Sequence, residues 1–333
     1  MTRRFTTLTL FVCLLAATNA FAAMEGMWTA AIDRDGSHPD RIYLNITRDD
    51  LHGNTFNHTG TTFPKSAFAN LSDAQINAAA MTPVKFELRR EAGTVTFEGM
   101  FRGGKGAGEF TFAPSANYLE AIRALGIEVS ERRKHGRSWS EEESLLQYAL
   151  HDVSTAFIRS MIGEGYRVSL EKYLEMRIFN ITPEYIREMR SLGFKQLDSD
   201  DLIATKIHKV TPDYVRQMRA AGWDLSLDDL QSSRIHGATP AFAAEMKQLG
   251  YTLDFDDLVA FRIHRVTPEF IRDLADLGYK HVDADDLVSM RIHGVTTEYI
   301  RMLKAAGYTG VPVEKLVAMK IHGIDARMLE KMK

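Results

Sequence analysis

The sequence predicts an α+β protein in which a small antiparallel, half-barrel-like β-sheet precedes an α-solenoid of short helix pairs. Two observations lead to this prediction. Short β-prone runs separated by turn residues fill the N-terminal third. One motif then recurs at a nearly fixed interval along the rest of the chain, as from His208 to His236 and from His264 to His293. A period of about 28–29 residues is typical of stacked units, none of which buries its apolar face alone.

Residues 1–22 have the pattern of a secretory signal peptide. Two arginines precede an apolar run from Leu8 to Ala17, and Ala20-Phe21-Ala22 forms a small-residue cleavage site. The apolar run is too short to cross a bilayer as a helix. The single cysteine, Cys13, falls inside this segment. The mature chain is therefore expected to contain no disulfide and to be periplasmic or secreted.

Residues 23–113 are expected to form the antiparallel β domain. Its β-prone runs are Trp28–Ile32, Arg41–Thr47, Val84–Arg90, Thr94–Phe101 and Glu109–Phe112. A short helix is expected within Phe68 to Ala80, and a tight hairpin connection at Gly103–Gly108. The glycine-rich run lacks the spacing of a phosphate loop, and Asp33–Gly36 lacks the remainder of a calcium loop. Both are interpreted as turns.

The helical part begins with a half-repeat. Ser115–Gly126 matches the second helix of the motif, so residues 114–127 are expected to cap the solenoid. Residues 128–140 are rich in charge and are interpreted as a linker. Residues 141–333 form the predicted solenoid of seven repeats, the last one truncated. The anchor positions of these repeats are His151, Phe179, His208, His236, His264, His293 and His322.

The repeat that begins at Asp254 illustrates the first helix of each pair. Asp254 and Asp257 form an N-cap and a near-capping-box. The expected apolar positions of this helix are Leu258, Phe261 and Ile263. His264 falls in its last turn.

The second helix has equally clear ends. Thr267 is its expected N-cap and Pro268 its first helical residue, where the missing N–H group costs nothing. Gly278 at the left-handed position, followed by Tyr279, predicts a Schellman-type end. Each helix has about ten residues, too few to persist alone in water. Stacking of the repeats must stabilise them.

The recurring histidines have two interpretations. Neighbouring packed helices lie about 8–10 Å apart, whereas zinc requires ligand nitrogens about 2.0–2.1 Å away, and no H-E-x-x-H motif occurs. We interpret the histidines as residues of helix C-termini, where a donor satisfies free carbonyl groups. A pH-dependent clasp is the alternative. No metal or other cofactor is predicted.

Two rows of basic residues recur at fixed repeat positions. The first comprises Arg177, Lys206, Arg234, Arg262, Arg291 and Lys320. The second comprises Arg159, Arg187, Arg216, Arg272 and Arg301 and is interrupted at Ala244. These rows could line a groove for an acidic partner, or could pair between repeats with the aspartates that open each first helix. The second interpretation is favoured, because charges at helix ends are ordinary surface features.

The candidate partner-binding residues are Arg187, Arg216, Arg272, Arg301, Arg262 and Arg291. Trp223 and Phe261 are candidate aromatic contacts. Trp223 has a competing interpretation, which we favour, as the apolar residue that packs at the end of a second helix.

Composition narrows the functional classes. The chain has 41 Lys and Arg against 44 Asp and Glu, a formal net charge of −3, so the dominant basic face of a nucleic-acid-binding protein is not expected. No Ser/His/Asp or Cys/His arrangement is evident, which argues against an enzyme. The leading hypothesis is an exported, non-enzymatic module that binds a protein or peptide. The alternative is a small-ligand site in the sheet lined by Trp28, Tyr43, Phe86 and Phe97, and a hydrolase ranks third.

The motif RIHGVTTEYIR at residues 291–301 resembles a helical repeat found in bacterial exported proteins. It is also similar to the C-terminal tails of some antirepressor-type membrane metallopeptidases related to β-lactam sensors. The likeness covers Ser140–Lys333 and implies an extracytoplasmic sensing or docking module. The chain lacks the zinc motif of those sensors, so the resemblance does not imply peptidase activity. Separately, Gly26-Met27-Trp28 is similar to the opening of lipocalin-like barrels.

Overall fold

The computed structural model of the protein describes residues 24–32, 40–49, 55–129, 133–134, 137–138, 140–324 and 328. The predicted signal peptide, the Asp33–Gly36 turn and part of the predicted linker lie outside these residues. The chain forms two units, the first ending at Pro183 and the second beginning at Glu184. The first contains the β-sheet and the second contains helix pairs, which confirms the predicted α+β class.

A curled, half-barrel-like sheet of antiparallel strands dominates the first unit. Its seven strands are β1 (Met24–Ile32), β2 (Arg41–Asp49), β3 (Thr55–Pro64), β4 (Phe68–Ala69), β5 (Thr82–Arg90), β6 (Gly93–Arg102) and β7 (Lys105–Pro114). Their order in the sheet is β3-β2-β1-β7-β6-β5-β4. Strand β1 therefore pairs with both β2 and β7, which places the G-x-W segment at the centre of the sheet.

The seven-stranded sheet contains two strands beyond the predicted five. Strand β3 was missed because Thr55–Pro64 consists mainly of Thr, Asn, His and Gly and lacks the alternation of apolar and polar residues that marks a strand. The two-residue strand β4 is too short to give a pattern. Helix α1 (Asp73–Ile76) lies within the predicted interval, and the Ser72 hydroxyl accepts from the N–H of Gln75 at its start.

Aromatic rings fill the concave core of the sheet. The rings of Phe86 and Phe97 stack with centroids 4.8 Å apart. Trp28 packs edge-on against Phe86 at 5.3 Å. The indole N–H of Trp28 donates to the carbonyl oxygen of Glu98 at 3.2 Å, so the polar edge of this buried ring is satisfied.

A pair of glycines allows β6 and β7 to approach closely beneath this core. Gly99 lies directly opposite Gly108 in the register of the two strands. A Cβ atom on Gly108 would lie 2.0 Å from the carbonyl oxygen of Glu98, and one on Gly99 would lie 2.2 Å from that of Ala107. Neither position accommodates a side chain without displacement of the backbone.

Helices follow the sheet in the first unit. They are α2 (Tyr118–Ala124), α3 (Glu141–Leu150), α4 (Thr155–Gly163) and α5 (Leu170–Ile178). Helix α3 packs on strands β5, β6 and β7. Helix α2 occupies the predicted half-repeat, and the Tyr118 hydroxyl donates to the carbonyl of Val153 at 2.6 Å. Between α2 and α3, two-residue strands β8 (Arg133–Lys134) and β9 (Arg137–Ser138) pair with each other.

The second unit is a solenoid of nine- or ten-residue helices. They are α6 (Pro183–Ser191, which starts at the unit boundary), α7 (Ser199–Ile207), α8 (Pro212–Ala220), α9 (Leu227–His236), α10 (Pro240–Gln248), α11 (Phe255–Ile263), α12 (Pro268–Asp276), α13 (Ala284–Ile292), α14 (Thr297–Ala305) and α15 (Val313–Ile321). The odd-numbered first helices α9, α11, α13 and α15 pack in series, and α12 packs on α14. First and second helices thus form separate layers.

Local capping sets the ends of these helices. The Thr267 hydroxyl accepts from the N–H of Phe270 at 3.2 Å, and Thr211, Thr239 and Thr296 do the same in their repeats. The second helices end at a glycine with positive φ, such as Gly222 at 95°, as predicted. Asp283 departs from the predicted pattern, because its side chain makes no capping hydrogen bond.

The length of each repeat is decided in the turn that leads from a second helix to the next first helix. Tyr251 to Asp254 spans this turn in four residues, whereas Tyr279 to Asp283 takes five. The longer turn contains His281, whose φ of 55° is left-handed. Gly310, with φ of 64°, belongs to the equivalent turn of the next repeat.

The repeats of the second unit bury large apolar side chains in two clusters, and the partly buried Trp223 and Phe255 pack against both. Leu258 and Phe261 of α11 are fully buried, as are Leu287 and Met290 of α13. Among the described residues, none of the helices has both the length and the apolar character needed to span a membrane.

Replacing Gly108 with alanine is expected to destabilise the sheet by about 1–3 kcal/mol or more, because the new Cβ overlaps backbone atoms of β6. The matched control is Gly163→Ala at the end of α4, where a Cβ meets nothing within 4 Å. This control should be neutral or stabilising by up to about 1 kcal/mol. Urea unfolding followed by circular dichroism measures both, and equal effects would contradict the steric explanation.

Candidate partner-binding surface

The first basic row connects successive repeats through aromatic rings. The guanidinium of Arg262 lies 4.8 Å from the ring centroid of Phe242, in the second helix of the preceding repeat. Arg234 over Tyr214 and Arg291 over Phe270 repeat this contact at 4.2 and 5.0 Å. Lys206 over Tyr185 and Lys320 over Tyr299 do so with ammonium groups, and Arg177 lies over Phe157 within the first unit.

The arginines of this row also close the ends of preceding first helices. Arg262 Nε donates to the carbonyl of His236 and Arg291 Nε to that of His264, both at 3.2 Å. Arg234 Nε donates to the carbonyl of Lys209 at 2.9 Å. The donors expected at these helix ends were the histidines. The donors observed there are arginines of the following repeat. We call the combined ring and carbonyl contact the repeat clamp.

The repeat clamp requires partial burial of a positive charge. Burial lowers the pKa of the Lys206 ammonium, and the carboxylate of Glu188 partly opposes this shift. Burial likewise lowers the pKa of Arg177 in the first unit, against the attraction of Asp152. The candidates Arg262 and Arg291 each face a ring and donate to a helix carbonyl. They therefore already have a structural role.

The histidines lie at the ends of first helices. His208, His264 and His293 are C-cap residues, and His236 is the last residue of α9, before Gly237. Within the part of the chain that the structure describes, no group of three or more His, Cys, Asp or Glu side chains is placed to hold a metal ion.

The second basic row forms solvated ion pairs along the second helices. Arg216 contacts Asp213 at 2.6 Å and Glu188 of the preceding repeat at 2.5 Å. The equivalent pairs are Arg272 with Glu269 and Glu245, and Arg301 with Glu298 and Asp273, at 3.5–3.9 Å. Arg187 contacts Glu184 at 2.8 Å. Pairing between repeats thus occurs, but the expected acids were wrong: the partners lie on second helices.

The hydrogen bond from Arg216 to Glu188 is the largest cause of the raised pKa of the Arg216 guanidinium. About half of each of the side chains of Arg216, Arg272 and Arg301 is exposed, and exposed pairs of this kind contribute little to stability. They remain accessible to a partner.

A row of exposed isoleucines is the feature that the sequence analysis missed. Ile263, one of the expected apolar positions of the first helix, is 48 % exposed at the end of α11. At 100° per residue it lies about 200° from Phe261 and about 140° from Leu258, so it projects away from the core. The same position is exposed in every described repeat of the second unit. We define the isoleucine row as Ile207, Ile235, Ile263, Ile292 and Ile321, which are 48–58 % exposed.

Some positions near the isoleucine row vary, although the cation before each isoleucine and the histidine after it recur as the row does. Three residues before each isoleucine stand Ala204, Ser232, Ala260, Ser289 and Ala318. Two residues after it stand Lys209, Gly237, Arg265, Gly294 and Gly323. Folding does not explain the constancy, because a half-exposed β-branched residue has a lower helix propensity than Leu, Arg or Lys.

Acidic residues lie on the same face of the first helices, seven residues before each isoleucine. We define the acidic row as Asp200, Asp228, Asp256, Asp285 and Glu314, all of them exposed. Burial, together with the charges of Asp254, Asp285 and Asp256, raises the pKa of the neighbouring carboxyl of Asp257. Burial and the charges of Glu314, Asp283 and Asp285 raise that of Asp286. Negative charge therefore accumulates across repeats along this edge.

The proposed small-ligand site in the sheet is not assembled as expected. Trp28, Phe86 and Phe97 contact each other in the core, and Tyr43 is 48 % exposed and outside it. The described part of the sheet has a cleft of about 390 Å³ elsewhere, lined by residues that include Arg48 and Glu109. The expected aromatic contact Phe261 was also wrong, because this ring is fully buried.

Trp223 packs at a helix end, as the favoured interpretation predicts. Its ring lies 6.2 Å from that of Phe255, and its backbone N–H donates to the carbonyl of Met218 in the Schellman arrangement. Comparison with protein-family models, curated proteins and solved structures gave no match to this chain.

Arg262→Ala is expected to lower the free energy of unfolding by about 1–3 kcal/mol, because it removes a charged hydrogen bond to a helix end and a ring contact. Arg262→Lys should retain part of this energy, since lysine fills the row at Lys206 and Lys320. The control is Arg272→Ala, for which we expect a loss of at most about 0.5 kcal/mol. Denaturant unfolding distinguishes these values, and a larger loss for Arg272→Ala would contradict the assignment.

Proposed function

We propose that this protein is an exported, non-enzymatic repeat scaffold that binds a protein or peptide through the first helices of its solenoid. The observation that carries the proposal is the isoleucine row. Contiguous exposed apolar side chains on a folded protein mark interaction sites, and stacked repeats present such side chains at regular intervals along an extended surface.

The candidate arginines take a secondary place in this proposal. Arg187, Arg216, Arg272 and Arg301 are bound to acids of their own layer, so a partner must compete with those pairs. Arg262 and Arg291 precede exposed isoleucines but are held in the repeat clamp. The isoleucines present about half of their apolar surface to solvent, which makes them the principal candidates for contact with a partner.

Export is supported by the signal-peptide pattern of residues 1–22 and agrees with the resemblance to repeats of exported and sensor-like proteins. A periplasmic or secreted scaffold is the location that follows. The tails of membrane sensors suggest a role in extracytoplasmic sensing or docking for such a repeat.

Site-specific photo-crosslinking tests the binding surface. Benzoylphenylalanine at position 263 or 292, in cells that produce the protein, should crosslink to one protein identified by mass spectrometry. The control position is Met81, an apolar residue of the sheet unit that is 57 % exposed. Copurification of the identified protein should be lost in the double variant Ile263→Ser/Ile292→Ser. Identical products from positions 81 and 263, or none from 263 and 292, would refute the proposal.

Export makes a separate prediction. The mature protein purified from the extracytoplasmic fraction should begin at Ala23, as determined by N-terminal sequencing, because cleavage is expected after Ala22. An Ala20→Arg/Ala22→Arg variant should retain the full-length chain, since the signal peptidase requires small residues there. A full-length chain recovered from the cytoplasm of the unaltered strain would contradict export.

A further inference from the structure

The isoleucine row and the acidic row lie on one face of the first helices. Each acidic residue precedes its isoleucine by seven positions, as Asp256 precedes Ile263. In an α-helix seven residues rotate to within about 20° of the same direction and advance about 10.5 Å. Between the rows lie the partly exposed Val259, Val288 and Val317. Helices α11, α13 and α15 therefore present an apolar band, bordered on one side by carboxylates.

From this arrangement we infer that the band is the binding site for one amphipathic α-helix of a partner protein. This helix carries lysines or arginines on the flank that faces the acidic row. The inference rests on the proposed binding function and specifies the class of partner. Its three supports are the width of the band, the spacing of the isoleucines and the distribution of charge.

The width of the band suits a helix. The rows are separated by about 10.5 Å, and an α-helix with side chains has a diameter of about 10–12 Å. A single extended strand, about 4.7–4.9 Å from its neighbours in a sheet, would cover half of the band. A helix lying along the solenoid can contact the isoleucines with its apolar face and the carboxylates with one flank.

The spacing along the solenoid points to the same occupant. Packed helices lie about 8–10 Å apart, so successive isoleucines are separated by about that distance. Two turns of a helix advance about 10.5 Å, which places an apolar residue of each heptad near each isoleucine. Residues on one face of a strand recur every 6.4–6.8 Å, about two residues apart, and lose register with the row.

The charges beside the band indicate which flank of the partner helix is basic. The acidic row faces carboxylates of the neighbouring repeats, and the pKa values of Asp257 and Asp286 beside it are raised partly by that repulsion. A cationic flank on the partner helix reduces this repulsion between carboxylates. Beyond the isoleucine row, on the opposite side from the acids, stand the exposed Lys209 and Arg265. A helix that is basic on both flanks is therefore a poorer partner than one that is basic on the acidic-row side.

The test uses synthetic peptides and the full chain. The probe is a fluorescein-labelled 21-residue peptide of three heptads, with leucine at the a and d positions, lysine on one flank and glutamine elsewhere. The matched peptide carries glutamate in place of lysine. Fluorescence anisotropy should show the lysine peptide binding at least tenfold more tightly at low ionic strength. This difference should shrink with added salt, because exposed charges are screened.

Variants of the protein assign the binding to the band. Ile263→Ser/Ile292→Ser should weaken binding of the lysine peptide at least tenfold, whereas Met81→Ser should leave it unchanged. Asp256→Asn/Asp285→Asn should abolish the preference for lysine over glutamate. The comparison of the two peptides and the salt titration use the unaltered protein, so they remain informative even if a variant fails to fold.

The outcomes separate this inference from the proposed function. Equal binding of the two peptides, or no binding of the lysine peptide, overturns the cationic helix. If photo-crosslinks from position 263 still identify a partner, the binding function survives that failure. Analytical ultracentrifugation that shows self-association abolished by Ile263→Ser/Ile292→Ser would instead assign the band to a second copy of the chain, which also overturns the inference.

Discussion

The repeat clamp is the contact on which the solenoid depends. Helices of nine or ten residues are marginal in water, and each ends with carbonyl groups that lack helical partners. Arg262 and Arg291 close the first helices of the preceding repeats and cover their aromatic rings at the same time. In the other layer, Arg219 and Lys304 donate to carbonyls at the ends of preceding second helices, those of Leu192 and Leu277, both at 2.7 Å. One repeat therefore completes the helices of the repeat before it.

This dependence explains why the motif tolerates little change at some positions. The stretch of chain between ring and cation is longer by a single residue from Phe270 to Arg291 than from Phe242 to Arg262. The extra residue lies in the turn from Tyr279 to Asp283. The clamp is thus preserved while the turn varies, and the irregular period follows from where an insertion can be accommodated.

Local signals in the sequence were enough to predict the helices and their caps, because a threonine, a proline or a glycine acts within one turn of the helix. The polar strand β3 left no such signal, since Thr55–Pro64 is positioned by hydrogen bonds to β2. The exposure of Ile263 was not predicted, because the apolar positions were identified without their angle around the helix. The repeat clamp was not predicted, because its ring and its cation are far apart along the chain. The only signal in the sequence is the nearly constant spacing between the two positions.

Because the motif is repeated within one chain, residues that recur for folding can be distinguished from residues that recur for another reason. The capping threonines and the cations of the clamp recur, and each has a contact that accounts for it. The isoleucine that follows the cation recurs equally, yet its side chain is half exposed. The position two residues further along the chain varies, from Lys209 to Gly237 to Arg265. We propose that a bound partner supplies the constraint on the isoleucine row, because an apolar row beside an acidic one suits such contact.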